Sequence, residues 1–222
     1  MSRLRSSKAR GLSAWVPWAW WEAVHLRDRP GEVLEGEDLG RSLSWRLGLN
    51  DVALRQRTRW ENAGRQGRRA AAEEVADLLR LVARRSDATE VAAEAGRLFA
   101  LRRFRPPRTF GPRLWRRRQL LRAFRRFWQE ATVEGVVGPD HRGLTFDAPV
   151  PTASADATGS LCTFYTAALT VAARRAGCPA AAAIHVACAA TNGGESCCRW
   201  RLDLTAIPKS SAATEGSPAL GG

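Results

Sequence analysis

Two cysteines near the C-terminus, Cys188 and Cys198, are spaced to face each other across a hairpin. The surrounding sequence reads AAIHVACAATNGGESCCRWRLDL, and residues 192–194 (Asn-Gly-Gly) are typical of a tight turn between two strands. If the two arms pair, alternation turns both thiols onto the apolar inner face of the hairpin. The predicted inward set is Ile184, Val186, Cys188, Cys198, Trp200, Leu202 and Leu204.

The same alternation predicts that His185 points away from the thiols. On a regular strand, residues three apart face opposite sides, so His185 and Cys188 are not expected to share one metal ion. The predicted outward set is His185, Cys197, Arg199 and Arg201.

A third cysteine is expected at the same place. Cys162 belongs to a predicted helix over residues 157–176, which would pack on the inner face of the hairpin. Cys162, Cys188 and Cys198 could then bind zinc or another soft metal, with a fourth ligand or water completing the site. The alternative is that buried free cysteines act only as small hydrophobic side chains. Cys178 lies past the helix end and is a poorer candidate.

The same helix and sheet would enclose an apolar pocket for a small molecule. Its predicted lining is Cys162, Tyr165, Cys188, Cys198 and Trp200. Burial of a ligand there would be mostly apolar, with the thiols supplying selectivity. Tyr165 could equally be a core tyrosine whose hydroxyl is satisfied by hydrogen bonding.

Motifs for catalysis are not found in the sequence. It contains no Gly-rich phosphate loop, no nucleophile elbow and no pair of histidines at helical spacing. His25, His141 and His185 lie in unrelated sequence contexts. A catalytic Cys–His pair therefore remains an alternative, but the spacing does not indicate which cysteine and histidine would form it. We therefore predict a non-catalytic binding or sensory protein, with a metal- or thiol-dependent enzyme as one alternative.

The elements that position these residues are predicted from the period of the apolar side chains. Helical spacing covers most of the first 130 residues, and the period becomes strand-like from Thr132. We predict an α+β fold with a helical N-terminal half and a C-terminal antiparallel β-β-α-β-β unit. The predicted helices span 15–26, 37–47, 49–61, 73–83, 88–104, 114–128 and 157–176. The predicted domain covers 12–206 (helical 12–130, β-containing core 131–206), with a flexible basic N-terminus at 1–11 and a disordered tail at 207–222.

The chain carries a formal charge of +13, almost all of it from arginine. A stretch from Arg102 to Arg126 alternates arginines with aromatic residues, a pattern that would attract nucleic acid or anionic lipid. The competing interpretation is a solvated helix face, because arginine also occurs on every other segment. A basic nucleic-acid-binding regulator is thus the second alternative.

The first predicted helix carries several tryptophans, among them Trp15 and Trp18. They could anchor the helix in the core, or they could form an exposed docking face and so allow a homodimer. The five cysteines are an odd number and no secretory signal precedes them, which argues against a disulfide framework. No run approaches the ~20 apolar residues of a membrane-spanning helix, and we predict a cytoplasmic protein.

Three segments resemble a known family. GSLCTFYTAALTVAARRAGC resembles its helix, IHVAC its next strand, and GESCCRW its Gly-x-x-x-Cys-x-aromatic close, matched by Gly194, Cys198 and Trp200. The family is the 4-vinyl reductase-like domain, a small-molecule-binding module that is structurally akin to TRAPP transport-particle subunits and occurs in prokaryotic regulators. The turn is about two residues longer here, and Ala167 and Ala168 stand where the family often has a glycine.

The resemblance implies binding of a hydrophobic small molecule, with Cys188 and Cys198 as metal or ligand contacts. It does not imply vinyl reduction, since a fold and its functions separate easily.

Overall fold

The computed structural model describes residues 11–28, 51–107, 113–191 and 196–204. The helix predicted at 37–47, the tail at 207–222 and the turn at 192–194 lie outside these ranges. So does the predicted basic N-terminus, except for Gly11, which is buried in the first strand rather than loose.

Helices dominate the N-terminal half, as predicted. Their bounds are α1 (Trp15–Arg27), α2 (Asp51–Arg65), α3 (Ala72–Val82), α4 (Ala88–Arg103) and α5 (Arg113–Ala131). In α3 the apolar side chains at helical spacing, Val75, Leu78, Leu79 and Val82, are all buried. Two short antiparallel strands that we did not predict, β1 (Gly11–Ser13) and β2 (Arg69–Ala71), join this half together.

The tryptophans of α1 belong largely to the core. Trp15 and Trp20 are buried, and the guanidinium of Arg102 lies over the Trp15 ring, 4.5 Å from its centroid. These contacts favour the interpretation that the tryptophans anchor α1 in the core over the interpretation that they form an exposed docking face.

The C-terminal half is the predicted β-β-α-β-β unit. Its strands are β3 (Val136–Pro139), β4 (Gly143–Ala148), β5 (Ala183–Ala187) and β6 (Cys198–Asp203), arranged as one antiparallel sheet in the order β3-β4-β6-β5. Between β4 and β5 lie α6 (Pro151–Ala155), a 3₁₀ turn (Ser160–Cys162) and α7 (Thr163–Arg175). The predicted helix at 157–176 therefore begins later, at Thr163.

Helix α7 packs between the sheet and α4. Small residues allow the close approach of the two helices, since a Cβ atom on Gly96 of α4 would lie 2.1 Å from the carbonyl oxygen of Phe164. On its other side, α7 meets an aromatic cluster in which the rings of Trp128, Tyr165 and Trp200 lie 5.1–5.4 Å apart. This packing fixes α7, and with it Cys162, over the sheet.

The predicted alternation is correct for β6 and wrong for β5. Cys198, Trp200 and Leu202 are fully buried. Ile184 and Val186, which we predicted to face inward, are 53% and 55% exposed. The inward residues of β5 are Ala183 and His185, because they lie opposite the buried Leu202 and Trp200 of β6.

No helix among the described residues combines the length and the apolar composition needed to cross a membrane.

Candidate metal centre

Three buried cysteines meet where the 3₁₀ turn passes over the ends of β5 and β6. Cys162 ends the turn, Cys188 follows β5 directly and Cys198 begins β6. The Sγ atom of Cys162 lies 4.0 Å from that of Cys188 and 4.0 Å from that of Cys198, and the Cys188 and Cys198 Sγ atoms are 3.8 Å apart. The structure thus brings together the three cysteines that the sequence selected.

His185 joins this cluster, so its predicted exclusion is wrong. One of its ring nitrogens and the three Sγ atoms all lie within 4.8 Å of one another. The physical reason is an irregularity in β5, where His185 pairs with Trp200 but Ala187 already pairs with Arg199. Val186 is therefore an extra residue, as in a β-bulge, and His185 and Cys188 lie on the same face although they are three residues apart.

The cluster has the dimensions of a tetrahedral zinc site. A Zn–S bond of about 2.3 Å places two ligands of a tetrahedron about 3.8 Å apart, close to the observed Sγ–Sγ distances of 3.8–4.0 Å. The His185 ring stacks on Trp200 at 4.6 Å, which holds its orientation. Its buried Nε2 atom has no hydrogen-bond partner among the described residues. Three thiols and one imidazole are a ligand set that zinc accepts.

Two hydrogen bonds connect the cluster to the surrounding structure. The Thr152 hydroxyl on α6 lies 3.3 Å from the Cys162 Sγ atom. The backbone N–H of Ala189 donates to the Cys198 Sγ atom at 3.3 Å. Such contacts orient metal ligands and stabilise thiolates.

The thiols influence one another's ionisation. The hydrogen bond from Cys162 lowers the pKa of Cys198 to about 4 against the opposing effect of burial, with further help from the His185 ring and then from the Ala189 N–H. The pKa of Cys162 is raised, first by its hydrogen bond to Cys198 and then by burial. The contact between Cys162 and Cys198 therefore favours the thiolate form at Cys198 over the thiolate form at Cys162.

A short loop, which the sequence analysis did not select, positions Cys162. The Asp156 carboxylate accepts hydrogen bonds from the Ser160 and Thr158 hydroxyls and from the Leu161 N–H. Burial raises the pKa of Asp156, but these hydrogen bonds, that of Ser160 first, lower it more. An aspartate two residues before a Thr-Gly pair is typical of such turns, so residues 156–159 carried a usable signal.

Gly159 in this loop has φ +72°, and a Cβ atom there would lie only 2.7 Å from the Cys188 Sγ atom. Glycine satisfies both constraints, since it adopts this backbone conformation without strain and leaves room for the sulfur.

Tyr165 and Trp200, the remaining predicted pocket residues, are packed in the core. The Tyr165 hydroxyl donates to the Ala131 carbonyl oxygen at 3.3 Å, and burial raises its pKa. The Trp200 Nε1 atom donates to the Thr166 hydroxyl at 3.1 Å. Two surface grooves, of about 720 and 500 Å³, are lined by other residues. Cys178 is buried but lies outside the cluster, and Cys197 is half-buried beside it.

The basic stretch forms an exposed face of α5. Its described outward side chains are Trp115, Arg117, Arg118, Arg122, Arg125 and Arg126. Trp115 is 61% exposed. Arg117 donates a hydrogen bond to the backbone carbonyl oxygen of Asp140, and Arg125 donates one to that of Val137. Because a carbonyl oxygen carries no net charge, these contacts do not neutralise the two guanidinium groups.

Comparison with known proteins gives no match: no family model, curated protein or solved structure matches the chain. The resemblance to the 4-vinyl reductase-like domain stays a prediction, and function is inferred from the site.

Proposed function

We propose that this protein is a non-catalytic small-molecule-binding or sensory protein whose fold contains one zinc ion, held by Cys162, His185, Cys188 and Cys198. The observation that carries the proposal is the set of three Sγ atoms 3.8–4.0 Å apart with an imidazole nitrogen beside them. The described cysteines are free thiols, which persist in reducing compartments, whereas oxidising compartments favour disulfides, so the proposed location is the cytoplasm.

The closed ligand set favours a structural or sensing role over catalysis. Four protein ligands fill a tetrahedral zinc, whereas catalytic zinc sites keep a position for water or substrate. Cys162 and Cys198 are 0% exposed, which leaves a substrate no approach to their sulfur atoms. The ion would join the turn before α7 to the ends of two strands. Ligand binding near these segments could then change the affinity or the coordination geometry of the metal.

The test is metal content and metal spectroscopy of the full chain. Protein purified without added metal is analysed for zinc, then stripped and titrated with Co²⁺, whose visible absorption reports tetrahedral thiolate coordination. We expect one zinc per chain and a saturable thiolate–Co²⁺ spectrum. Native mass spectrometry of the same material reports retained ligand and the subunit number, and so also tests the predicted homodimer.

Cys178 supplies the matched control, because it is a buried cysteine outside the cluster. Cys198→Ser and His185→Ala should each weaken Co²⁺ binding strongly, and Cys178→Ser should leave it unchanged. Absence of Co²⁺ binding by the folded wild-type protein would reject the proposal, and so would equal effects of the three substitutions.

A second candidate function, nucleic-acid binding, is favoured by the outer face of α5. No described residue forms an ion pair with Arg118, Arg122 or Arg126, and the exposed Trp115 ring is available for stacking on a base. Positive charge without acidic partners attracts phosphate and makes binding strongly salt-dependent.

Salt titration of binding to labelled duplex and single-stranded DNA tests this candidate. Replacing Arg122 and Arg126 by Ala should lower the slope of log affinity against log salt on duplex by about 1.8, if each side chain neutralises one phosphate. The control replaces Arg84, in the turn after α3, and Arg174 of α7, both of which are exposed. No binding at low salt removes the candidate.

A further inference from the structure

Two of the three clustered cysteines face each other directly across the hairpin. In the register of β5 and β6, Ala187 lies opposite Arg199, so Cys188 and Cys198 occupy the next facing positions. Facing residues of antiparallel strands have Cα atoms about 4.5–5.5 Å apart, which lies within the range of about 4.4–6.8 Å that a disulfide spans. The two Sγ atoms are 3.8 Å apart. The two thiols can therefore be joined without a change of register.

Cys162 is held differently, because it comes from another element. It ends the 3₁₀ turn before α7, and its Sγ atom lies 4.0 Å from each of the other two. The Thr152 hydroxyl lies 3.3 Å from this sulfur atom. Cys162 keeps this hydrogen-bond partner when the other two thiols join, so Cys188 and Cys198 are the pair that the packing favours for oxidation.

Cys188 is the cysteine of the cluster that an oxidant from solvent reaches first. It is 7% exposed, whereas Cys162 and Cys198 are 0% exposed. Two residues at this end of the hairpin, Ala189 and Ser196, line the larger surface groove, so water reaches it. Hydrogen peroxide is little larger than water. Sulfur bound to zinc is already a thiolate, which is the nucleophilic form of cysteine.

We propose that Cys188 and Cys198 form a site of reversible oxidation, at which a hydroperoxide converts the two thiolates into a disulfide and the metal is released. The inference deepens the proposed function and rests on the metal site. The disulfide consumes two of the four ligands, and Cys162 and His185 alone do not complete a tetrahedral zinc site. Metal binding and disulfide formation therefore exclude each other, so the metal content of the protein falls as the concentration of peroxide rises.

The reaction balances with hydrogen peroxide as the oxidant. The Cys188 thiolate attacks one peroxide oxygen, so that an S–O bond forms, the O–O bond breaks and hydroxide leaves a sulfenic acid behind. The Cys198 thiolate then attacks the Cys188 sulfur, so that the S–S bond forms, the S–O bond breaks and a second hydroxide leaves. Protons from solvent convert both hydroxides into water. The cysteine pair loses two electrons, the peroxide gains them, and zinc leaves as Zn²⁺.

The experiment adds hydrogen peroxide to the zinc-loaded full chain in the presence of a coloured zinc chelator. We expect peroxide to raise the rate of zinc transfer about tenfold or more, because two of the ligands are removed. Treatment with a thiol reductant, followed by its removal, should restore Co²⁺ binding. A thiol reductant does not reverse oxidation to sulfinic acid, so Co²⁺ binding that stays lost would overturn the proposal.

Mass spectrometry identifies the disulfide in a variant that retains the three clustered cysteines alone, Cys178→Ser combined with Cys197→Ser. Neither replaced residue belongs to the cluster. Cleavage after arginine and glutamate places the three remaining cysteines in separate peptides, 143–174, 176–195 and 196–199. We expect peroxide to link the second peptide to the third and to release zinc from this variant as it does from the wild type. If the double variant no longer releases zinc, the reactive thiol lies outside the cluster and the assignment to Cys188 is wrong.

His185→Ala separates oxidation from metal binding, because it removes one ligand and none of the thiols. This variant should bind Co²⁺ weakly and still form the same disulfide. Protein that takes up Co²⁺ but retains it after peroxide treatment, or that links Cys162 to another cysteine, overturns this inference alone. Protein that forms the disulfide but binds no Co²⁺ before oxidation overturns the proposed function, and the release of metal with it.

Discussion

At the scale of single residues, Gly159 is the position where one added methyl group should damage the cluster. Gly159→Ala would introduce strain at φ +72° and place a Cβ atom 2.7 Å from the Cys188 Sγ atom. We expect a loss of Co²⁺ affinity of about tenfold or more, together with a stability loss of about 1–3 kcal/mol. Both are measured by Co²⁺ titration and denaturant unfolding.

Gly67 provides the matched control, because its φ is +68° and nothing lies within 4 Å of an added Cβ atom. Gly67→Ala should cost backbone strain alone and leave Co²⁺ affinity unchanged. Equal Co²⁺ affinities for the two variants would contradict the proposed role of Gly159.

The ionisation of Cys198 gives a second prediction at this scale. Its pKa, about 4, lies below the ordinary thiol value of 9.0, so the thiolate stabilises the folded state. That contribution is complete above about pH 9 and is lost as the pH falls towards 4. In metal-free, reduced protein, the ultraviolet thiolate absorption should persist at neutral pH and disappear near pH 4. Cys198→Ser should abolish this titration, whereas Cys178→Ser should retain it. A thiolate absorption that appears only above neutral pH in the wild-type protein would contradict the low pKa of Cys198.

At the scale of elements, the irregularity of β5 decides which side chains reach the metal. Deleting the exposed Val186 removes the extra residue but leaves His185 and Cys188 two positions apart, and therefore on one face. This deletion should keep the Co²⁺ spectrum. Deleting both Val186 and Ala187 makes the two ligands adjacent and turns one of them away. Protein with the double deletion should therefore no longer show the Co²⁺ absorption that is expected for tetrahedral coordination by three cysteines and one histidine.

Circular dichroism of both deletion proteins shows whether the sheet survives. A Val186 deletion that folds but no longer binds Co²⁺ would contradict the assigned register.

At the scale of the whole molecule, the proposed metal links segments that are far apart in the chain. Cys162 precedes α7, whereas Cys188 follows β5 and Cys198 begins β6, the two strands on which α7 packs. Because the unfolded chain does not hold these ligands together, metal binding contributes to folding. Free zinc at a thousand times its dissociation constant would stabilise the fold by about 4 kcal/mol.

A chelator should therefore lower the thermal midpoint of unfolding, and added zinc should restore it. The same comparison on Cys178→Ser should give the same shift. An unchanged midpoint in protein shown to have lost its zinc would contradict a structural role for the ion.

Much of this architecture follows from the sequence because it depends on short-range periodicity. The helical repeat of Val75, Leu78 and Leu79, and the alternation of Cys198 and Trp200, are both dictated by backbone geometry and burial. These patterns were sufficient to predict the α+β fold, the β-β-α-β-β order and the convergence of three cysteines on one apolar face.

The remaining features are decided by contacts between distant segments. Whether β5 carries an extra residue depends on its register against β6, and that register alone places His185 beside Cys188. The larger surface groove likewise exists because α3 and α6, about 80 residues apart in sequence, pack side by side. Neither the register of β5 nor the packing of α3 beside α6 can be predicted from local periodicity, since both arise only when the chain is folded.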